Sequence, residues 1–259
     1  MRLKVVVALA VVLVSVSPAF SFPLLGLQAN ELDINASLMV IGSTPPAGYG
    51  QGSTIVTLIG ASLPMKLQAP FFIEPDVELY GWPYRWTGTS AVPTASEDGL
   101  GFWVLGILAG VQGGISYPVS PAFTLGGSVG LDLLIRFPIE LQNSGATVVS
   151  DEGSAMGYFY GALRFLYPET RFFLRWHLSD PIELVFNLRA WYPLFHLWDA
   201  QALPFVDQLM VSAGIGVAIS LKSPPELRRA APAIEPPAEV KPVAPPAEPP
   251  AAPASPPAN

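Results

Sequence analysis

The chain contains no cysteine. That removes disulfides, thiol nucleophiles and thiolate metal sites together. Charge is scarce as well: Asp, Glu, Lys and Arg make up 13% of the sequence, against about 25% in an ordinary soluble domain. The 13 basic residues are outnumbered by 20 acidic ones and are scattered along the chain. The concentrated basic footprint of a nucleic-acid-binding surface is therefore missing, and no nucleic-acid partner is expected. Histidine occurs only at His177 and His196. Long apolar runs are also missing except at the N-terminus, although mean hydropathy is +0.43. A helical membrane protein of that hydropathy would show runs of about 20 apolar residues, so lipid, if met at all, must be met by another geometry.

The one exception begins with Met1-Arg2-Leu3-Lys4, continues through apolar Val5 to Val16, and ends in Ser17-Pro18-Ala19-Phe20-Ser21. Two positive charges, an apolar core and small residues at the end are the parts of a secretory signal peptide. Residues 1–21 are read as that signal, cleaved after Ser21 with Ala19 at the −3 position. A retained anchor would need a longer span.

What the rest of the chain has is alternation. From Gln208 to Lys222, Leu209, Val211, Ala213, Ile215, Val217, Ile219 and Leu221 share one parity, while Met210, Ser212, Gly214, Gly216, Ala218 and Ser220 share the other. A period of two sends successive side chains to opposite faces of a strand. The second face is almost wholly small, which suits the interior of a narrow barrel better than a water-facing sheet. Four further segments follow the same rule: 32–40, 71–82, 123–137 and 181–194. Three more, 52–62, 100–113 and 155–166, are apolar and glycine-rich with less regular parity. Together they predict an all-β fold, a closed eight-stranded antiparallel up-and-down transmembrane β-barrel over residues 22–222, with the even strand number usual for bacterial barrels.

With both termini in the periplasm, the connections at 42–51, 83–99, 138–154 and 195–207 face outward, and those at 63–70, 114–121 and 167–180 face inward. The third inner connection carries Phe172, Phe173, Leu174, Trp176 and Leu178, which fit either an interfacial segment or an extended strand. Trp82, Tyr84, Trp86, Trp191, Tyr192 and Trp198 toward one rim, with Tyr117, Tyr167 and Trp176 toward the other, are candidates for the aromatic girdles that favour headgroup depth. After Lys222 the composition changes to proline and alanine without a single aromatic residue. Residues 223–259 cannot bury enough apolar surface to offset their ordering entropy, so a disordered Pro/Ala-rich tail in the periplasm is expected. At about 3.1 Å per residue such a tail would span on the order of 110 Å. That is enough for cell-wall contact, although an inert spacer is the plainer reading.

These features resemble the small eight-stranded outer-membrane barrels typified by the OmpA membrane domain and the OmpW family, and the cysteine-free, tail-bearing form resembles spirochaetal examples. The likeness is architectural and covers roughly residues 30–222. It implies outer-membrane localisation, contact with outer-membrane lipid, a monomer, and recognition by barrel-assembly machinery, whose terminal-strand pattern is matched by Gly214, Gly216, Ile219 and Leu221. Two departures stand out: the last position is aliphatic where the family is aromatic, and the linker-like tail leads into no peptidoglycan-binding domain.

If the parity holds, Asp33, Glu74, Asp76, Glu78, Asp132 and Glu183 share the lumen with Arg136, Arg164 and Arg189. Buried charges must pair and hydrogen-bond, so the plain expectation is a polar plug. The acidic excess keeps a second reading open, a narrow pore for small solutes or cations. A soluble periplasmic lipocalin-like binder is a third. Catalytic signals are weak. His196 beside Asp199 could be a base oriented by an acid in a lipid-modifying barrel, but no serine is paired with it locally. No glycine loop cradles phosphate and no carboxylate–histidine set has metal-ligand spacing, so no catalytic residue, cofactor or metal is expected.

Overall fold

The computed structural model describes residues 29, 31–45, 53–94, 102–140, 151–198, 204 and 206–221. The expected signal peptide and Pro/Ala-rich tail lie outside these residues. Among these residues are ten strands: β1 (Glu31–Ile41), β2 (Thr54–Ser62), β3 (Met65–Lys66), β4 (Phe71–Trp86), β5 (Ala91–Pro93), β6 (Phe102–Ser120), β7 (Phe123–Glu140), β8 (Leu166–Ser179), β9 (Ile182–Trp191) and β10 (Met210–Ser220). β3 and β5 are short and pair only with β4. The other eight form one ring, in the order β1-β2-β4-β6-β7-β8-β9-β10, with β10 returning to β1 and every pairing antiparallel. Closure matters because an open strand edge in hydrocarbon would leave unpaired N–H and C=O groups, each costing several kcal/mol.

The alternation predicted from sequence is realised. In β1, Asp33, Asn35, Ser37 and Met39 are buried, whereas Ile34, Leu38 and Val40 are exposed. β10 places Ile215, Val217 and Ile219 outside and packs Ser212 and Ala218 inside. Exposed Ile55, Val111, Val129, Leu131, Phe172, Phe186 and Leu188 continue the apolar outer surface around the ring. No large apolar band of this kind persists on a water-soluble monomer, and rows of aliphatic side chains facing out with polar ones facing in are the transmembrane barrel arrangement.

The two ends differ. At the short-turn end β6 and β7 are joined by Pro121 and Ala122 alone, and β8 and β9 by Asp180 and Pro181 alone. These turns are shorter than expected: the predicted connection at 114–121 is mostly strand, since β6 runs to Ser120, and the one at 167–180 lies almost entirely in β8. The opposite end carries the four longer connections, and the one between β7 and β8 contains helix α1 (Asp151–Tyr160) followed by a 3-10 turn at Gly161–Leu163.

Helix α1 corrects the sequence reading. The predicted strand at 155–166 is helix and turn, and the true sixth barrel strand is β8. The physical reason is visible in the packing. Ala155, Tyr158 and Phe159 are buried on one side of α1 and join the core at the barrel mouth, so this apolar stretch meets side chains from inside the rim and not lipid across a sheet. The girdle reading is corrected as well. Tyr84, Tyr167 and Trp191 are fully buried inside the barrel, and Trp82 and Trp86 pack against the core. Tyr117, Trp176 and Trp198 do face outward.

Candidate functional site

Among the described residues, the alternation gathers a large assembly of buried polar groups in the lumen. Its three acidic members on β4, Glu74, Asp76 and Glu78, occupy successive inward positions. Across the ring, β8 and β9 supply Arg171 and Arg189, which stand directly opposite each other in register. β4 and β9 are four steps apart in a ring of eight, so contacts between them cross the full width of the barrel.

Those contacts are made. The Arg189 Nη1 lies 2.8 Å from Asp76 Oδ2, 2.8 Å from Glu78 Oε1 and 3.5 Å from Glu169 Oε1. Arg171 donates through Nη1 to Glu74 and through Nε to Asn187 Oδ1 at 2.8 Å. Ser62 Oγ also donates to Glu74, at 2.5 Å. Lower down, Arg175 binds Glu31 and, at 2.7 Å, Asp33 Oδ2, with Glu183 at 3.6 Å. Gln112 bridges two strands: its Nε2 donates to Glu169 Oε2 at 2.7 Å while its Oε1 accepts from Ser128 Oγ at 2.6 Å. Asp132 accepts from the indole N–H of Trp191.

Of the residues singled out in the sequence, Asp33, Glu74, Asp76, Glu78, Asp132 and Arg189 meet in this network, and Glu183 lies at its partly exposed lower edge. Arg136 and Arg164 do not join it. They are buried near the mouth among aromatic rings, with the Arg136 guanidinium 4.3 Å from the Phe159 ring centre and that of Arg164 4.3 Å from the Tyr158 ring centre. Arg136 Nη2 donates to the Arg164 carbonyl at 2.8 Å. Arg164 points inward as expected, but from the turn after α1 and not from a strand. Residues missed are Arg171, Arg175 and Glu169, all on β8, and the neutral linkers Gln112, Ser128 and Asn187. A signal was available: Tyr167, Glu169, Arg171, Phe173 and Arg175 alternate with Leu166, Pro168, Thr170, Phe172 and Leu174.

Asp76, Asp132 and Glu169 bring carboxylate oxygens within 4.8 Å of one another. They come from β4, β7 and β8, so no sequence spacing could have announced the grouping. Each already accepts a hydrogen bond from Gln112, Arg189 or Trp191, which makes the trio part of the network.

Above the ionic layer the lumen turns apolar. Met39, Val56, Leu58, Leu108 and Leu134 point inward with Tyr80, Tyr84, Tyr167 and Phe195, and α1 closes over them. Glu74, Glu78, Gln112, Leu58, Trp191 and Phe159 are each 0% exposed, so neither layer leaves a water path alongside these side chains.

The remaining sequence candidates are placed as follows. His196 lies on a 3-10 turn (Leu194–Leu197), with Nε2 2.8 Å from the Asp207 carbonyl oxygen, a contact that requires the proton on Nε2. Asp199 lies outside the described residues. In the terminal strand, Ile219 and Leu221 face outward. Gly214 faces inward against β1, where an added Cβ would lie 2.4 Å from Ser37 Cβ, so packing alone demands glycine there.

Comparison with protein families finds no match, and comparison with curated proteins finds no relative. Among solved structures, outer-membrane proteins are matched. Neisserial surface protein A (NspA) is 10% identical, with 75% of this chain and 99% of that one covered at a TM-score of 0.48. The outer membrane protein OprG from Pseudomonas aeruginosa is 13% identical, with 75% and 98% covered at 0.41. PagL, described as an outer membrane enzyme, is 11% identical, with 73% and 99% covered at 0.34. At these scores nothing about function transfers, and the fold assignment stands on the closed ring and its apolar exterior.

Proposed function

We propose that this chain is a non-enzymatic outer-membrane barrel with a structural or surface-interaction role, plugged rather than conducting. The observation that carries the reading is the trans-luminal ion network on β4, β8 and β9 beneath an apolar seal that includes α1. Residues 1–21 would export it, the short-turn end would face the periplasm with the tail, and the long-loop end would face outward. Gly214, Gly216, Ile219 and Leu221 would be read by the assembly machinery, and the barrel would stand in lipid as a monomer. The exposed aliphatic rows weigh against the soluble lipocalin-like alternative.

One observation favours a second reading, a narrow cation pore: six buried carboxyl groups, Asp33, Glu74, Asp76, Glu78, Asp132 and Glu169, share the network with three guanidinium groups, those of Arg171, Arg175 and Arg189. Planar-bilayer recording of the refolded protein separates the two. The plugged barrel is expected to give no discrete openings. Openings that vanish in a Glu74→Gln, Asp76→Asn, Glu78→Gln triple variant would overturn it in favour of the pore. A lipid-modifying activity would show as altered lipid on incubation, lost in His196→Ala; with its Nε2 committed to a backbone carbonyl, no such change is expected.

A further inference from the structure

At the long-loop end a cavity of about 310 Å³ opens between Ser43–Thr44, the β4–β5 hairpin, α1 and Asp207–Gln208. Its walls come from four separate connections. The volume falls in the range of small-molecule sites, about 300–1,000 Å³. Its floor is closed: Gln208 donates to the Tyr158 hydroxyl at 2.5 Å, and the space beneath shrinks to about 10 Å³.

The chemistry of the lining selects among ligands. Among the described residues that line it, Asp207 is the only charged one and none is lysine or arginine, so these residues offer an anionic ligand no cationic partner. The Asp207 carboxylate accepts from the Thr44 backbone N–H at 2.7 Å, which partly satisfies it. Burial pushes its pKa up, against the opposing pull of that N–H, His196, Gln208 and Arg164. The hydroxyls of Ser43, Thr44 and Thr89 also line the cavity without a side-chain hydrogen bond among the described residues. Hydroxyls act as donor and acceptor at once. Ala91, Val92 and Pro93 form a buried apolar wall beside them.

We infer that this cavity binds a small neutral polyhydroxylated ligand, a pyranose-sized sugar or sugar terminus, with paired hydroxyls donating to Asp207 and the C–H face of the ring against Val92 and Pro93. The inference deepens the surface-interaction reading and rests on it only in requiring that the long-loop end meet solvent.

The test uses the full chain refolded in detergent, its folded state checked by heat-modifiable electrophoretic mobility. Ligand-observed NMR and calorimetry are run with glucose, galactose, mannose, N-acetylglucosamine and lactose, and with a sulfated sugar and a polyamine as charged comparators. At least one neutral sugar is expected to bind saturably. Asp207→Asn should weaken that binding about ten-fold, because charge-assisted hydrogen bonds are roughly twice as strong as neutral ones. Thr89→Trp, on an exposed hairpin tip, should fill the cavity and abolish binding while leaving the barrel folded. Folded protein that binds no neutral sugar, binding indifferent to both variants, or binding confined to the charged comparators would each overturn the inference. A folded, detergent-requiring barrel that binds nothing leaves the membrane reading intact; a folded monomer in plain buffer would instead remove that reading.

Discussion

Toward the long-loop end, most inward positions of β1, β2, β6 and β7 are apolar, among them Met39, Val56, Leu58, Val104, Leu108 and Leu134, with Thr54 and Arg136 as polar exceptions; toward the short-turn end the same strands offer Asp33, Ser62, Gln112 and Ser128. One ring of strands therefore encloses two cores. The upper one is held by shape and aromatic contact, such as the edge-on packing of Phe159 against Tyr84 with ring centres 5.7 Å apart. The lower one is held by directional bonds between strands on opposite walls. The difference lies in tolerance. An apolar layer accepts side chains of similar volume with little cost, whereas an ionic layer that loses one partner keeps the other charge buried without compensation.

The sharpest way to break this comparison is Arg189→Met, which keeps most of the side-chain length but strands Asp76, Glu78 and Glu169. A loss of about 3–5 kcal/mol is expected, read from urea unfolding in detergent by tryptophan fluorescence. Next comes Phe159→Ala. It opens a hole under α1 and should cost about 3 kcal/mol, with α1 becoming protease-sensitive before the strands do. Gln208→Ala removes the bond to Tyr158 and should cost about 1 kcal/mol, visible as faster amide exchange in α1. The smallest effect belongs to Leu108→Met in the upper layer, below about 1.5 kcal/mol. If Leu108→Met were as damaging as Arg189→Met, the division of the lumen into a tolerant and an intolerant half would fail.

A pH series sharpens the comparison at the mouth. Asp207 has a carboxyl raised above its ordinary value by burial, so the folded protein holds that proton more tightly than the unfolded chain. Its stabilising contribution is fully present below the ordinary aspartate range and is lost as pH rises through the raised value. Unfolding midpoints of the native chain should fall over that window, and Asp207→Asn should flatten the fall.

Much of this fold is legible in the sequence because a lipid-facing strand obeys a strict two-residue period. β1, β4, β7, β9 and β10 declare themselves through the contrast between Leu, Ile or Val and Asp, Glu, Ser or Gly at alternate positions. β8 was hidden by two features. Pro168 argues against a strand interior, and Phe172-Phe173 interrupts the contrast because an inward phenylalanine, Phe173, packs edge-on against Phe72 across the lumen. Missing β8 leaves Glu169, Arg171 and Arg175 out of the expected network, and with them the cations that bind Glu74 and Asp33. Helix α1 was read as a strand because its apolar residues meet the barrel mouth, a surface that exists only after the ring has closed. The rim cavity is assembled from four connections far apart in sequence, and no local pattern encodes it.

The position of Arg189 bears on how such a barrel can be put together. Its carboxylate partners are Glu169 on the adjacent β8 and Asp76 and Glu78 on β4 across the barrel, so a half-built sheet carrying β8 and β9 without β4 would leave its guanidinium with Glu169 alone. Hydrocarbon penalises that state, and full pairing arrives only when the ring closes and brings β4 opposite β9. Assembly and charge balance thus become one event, which makes partly inserted forms short-lived and ties correct strand count to survival in the bilayer.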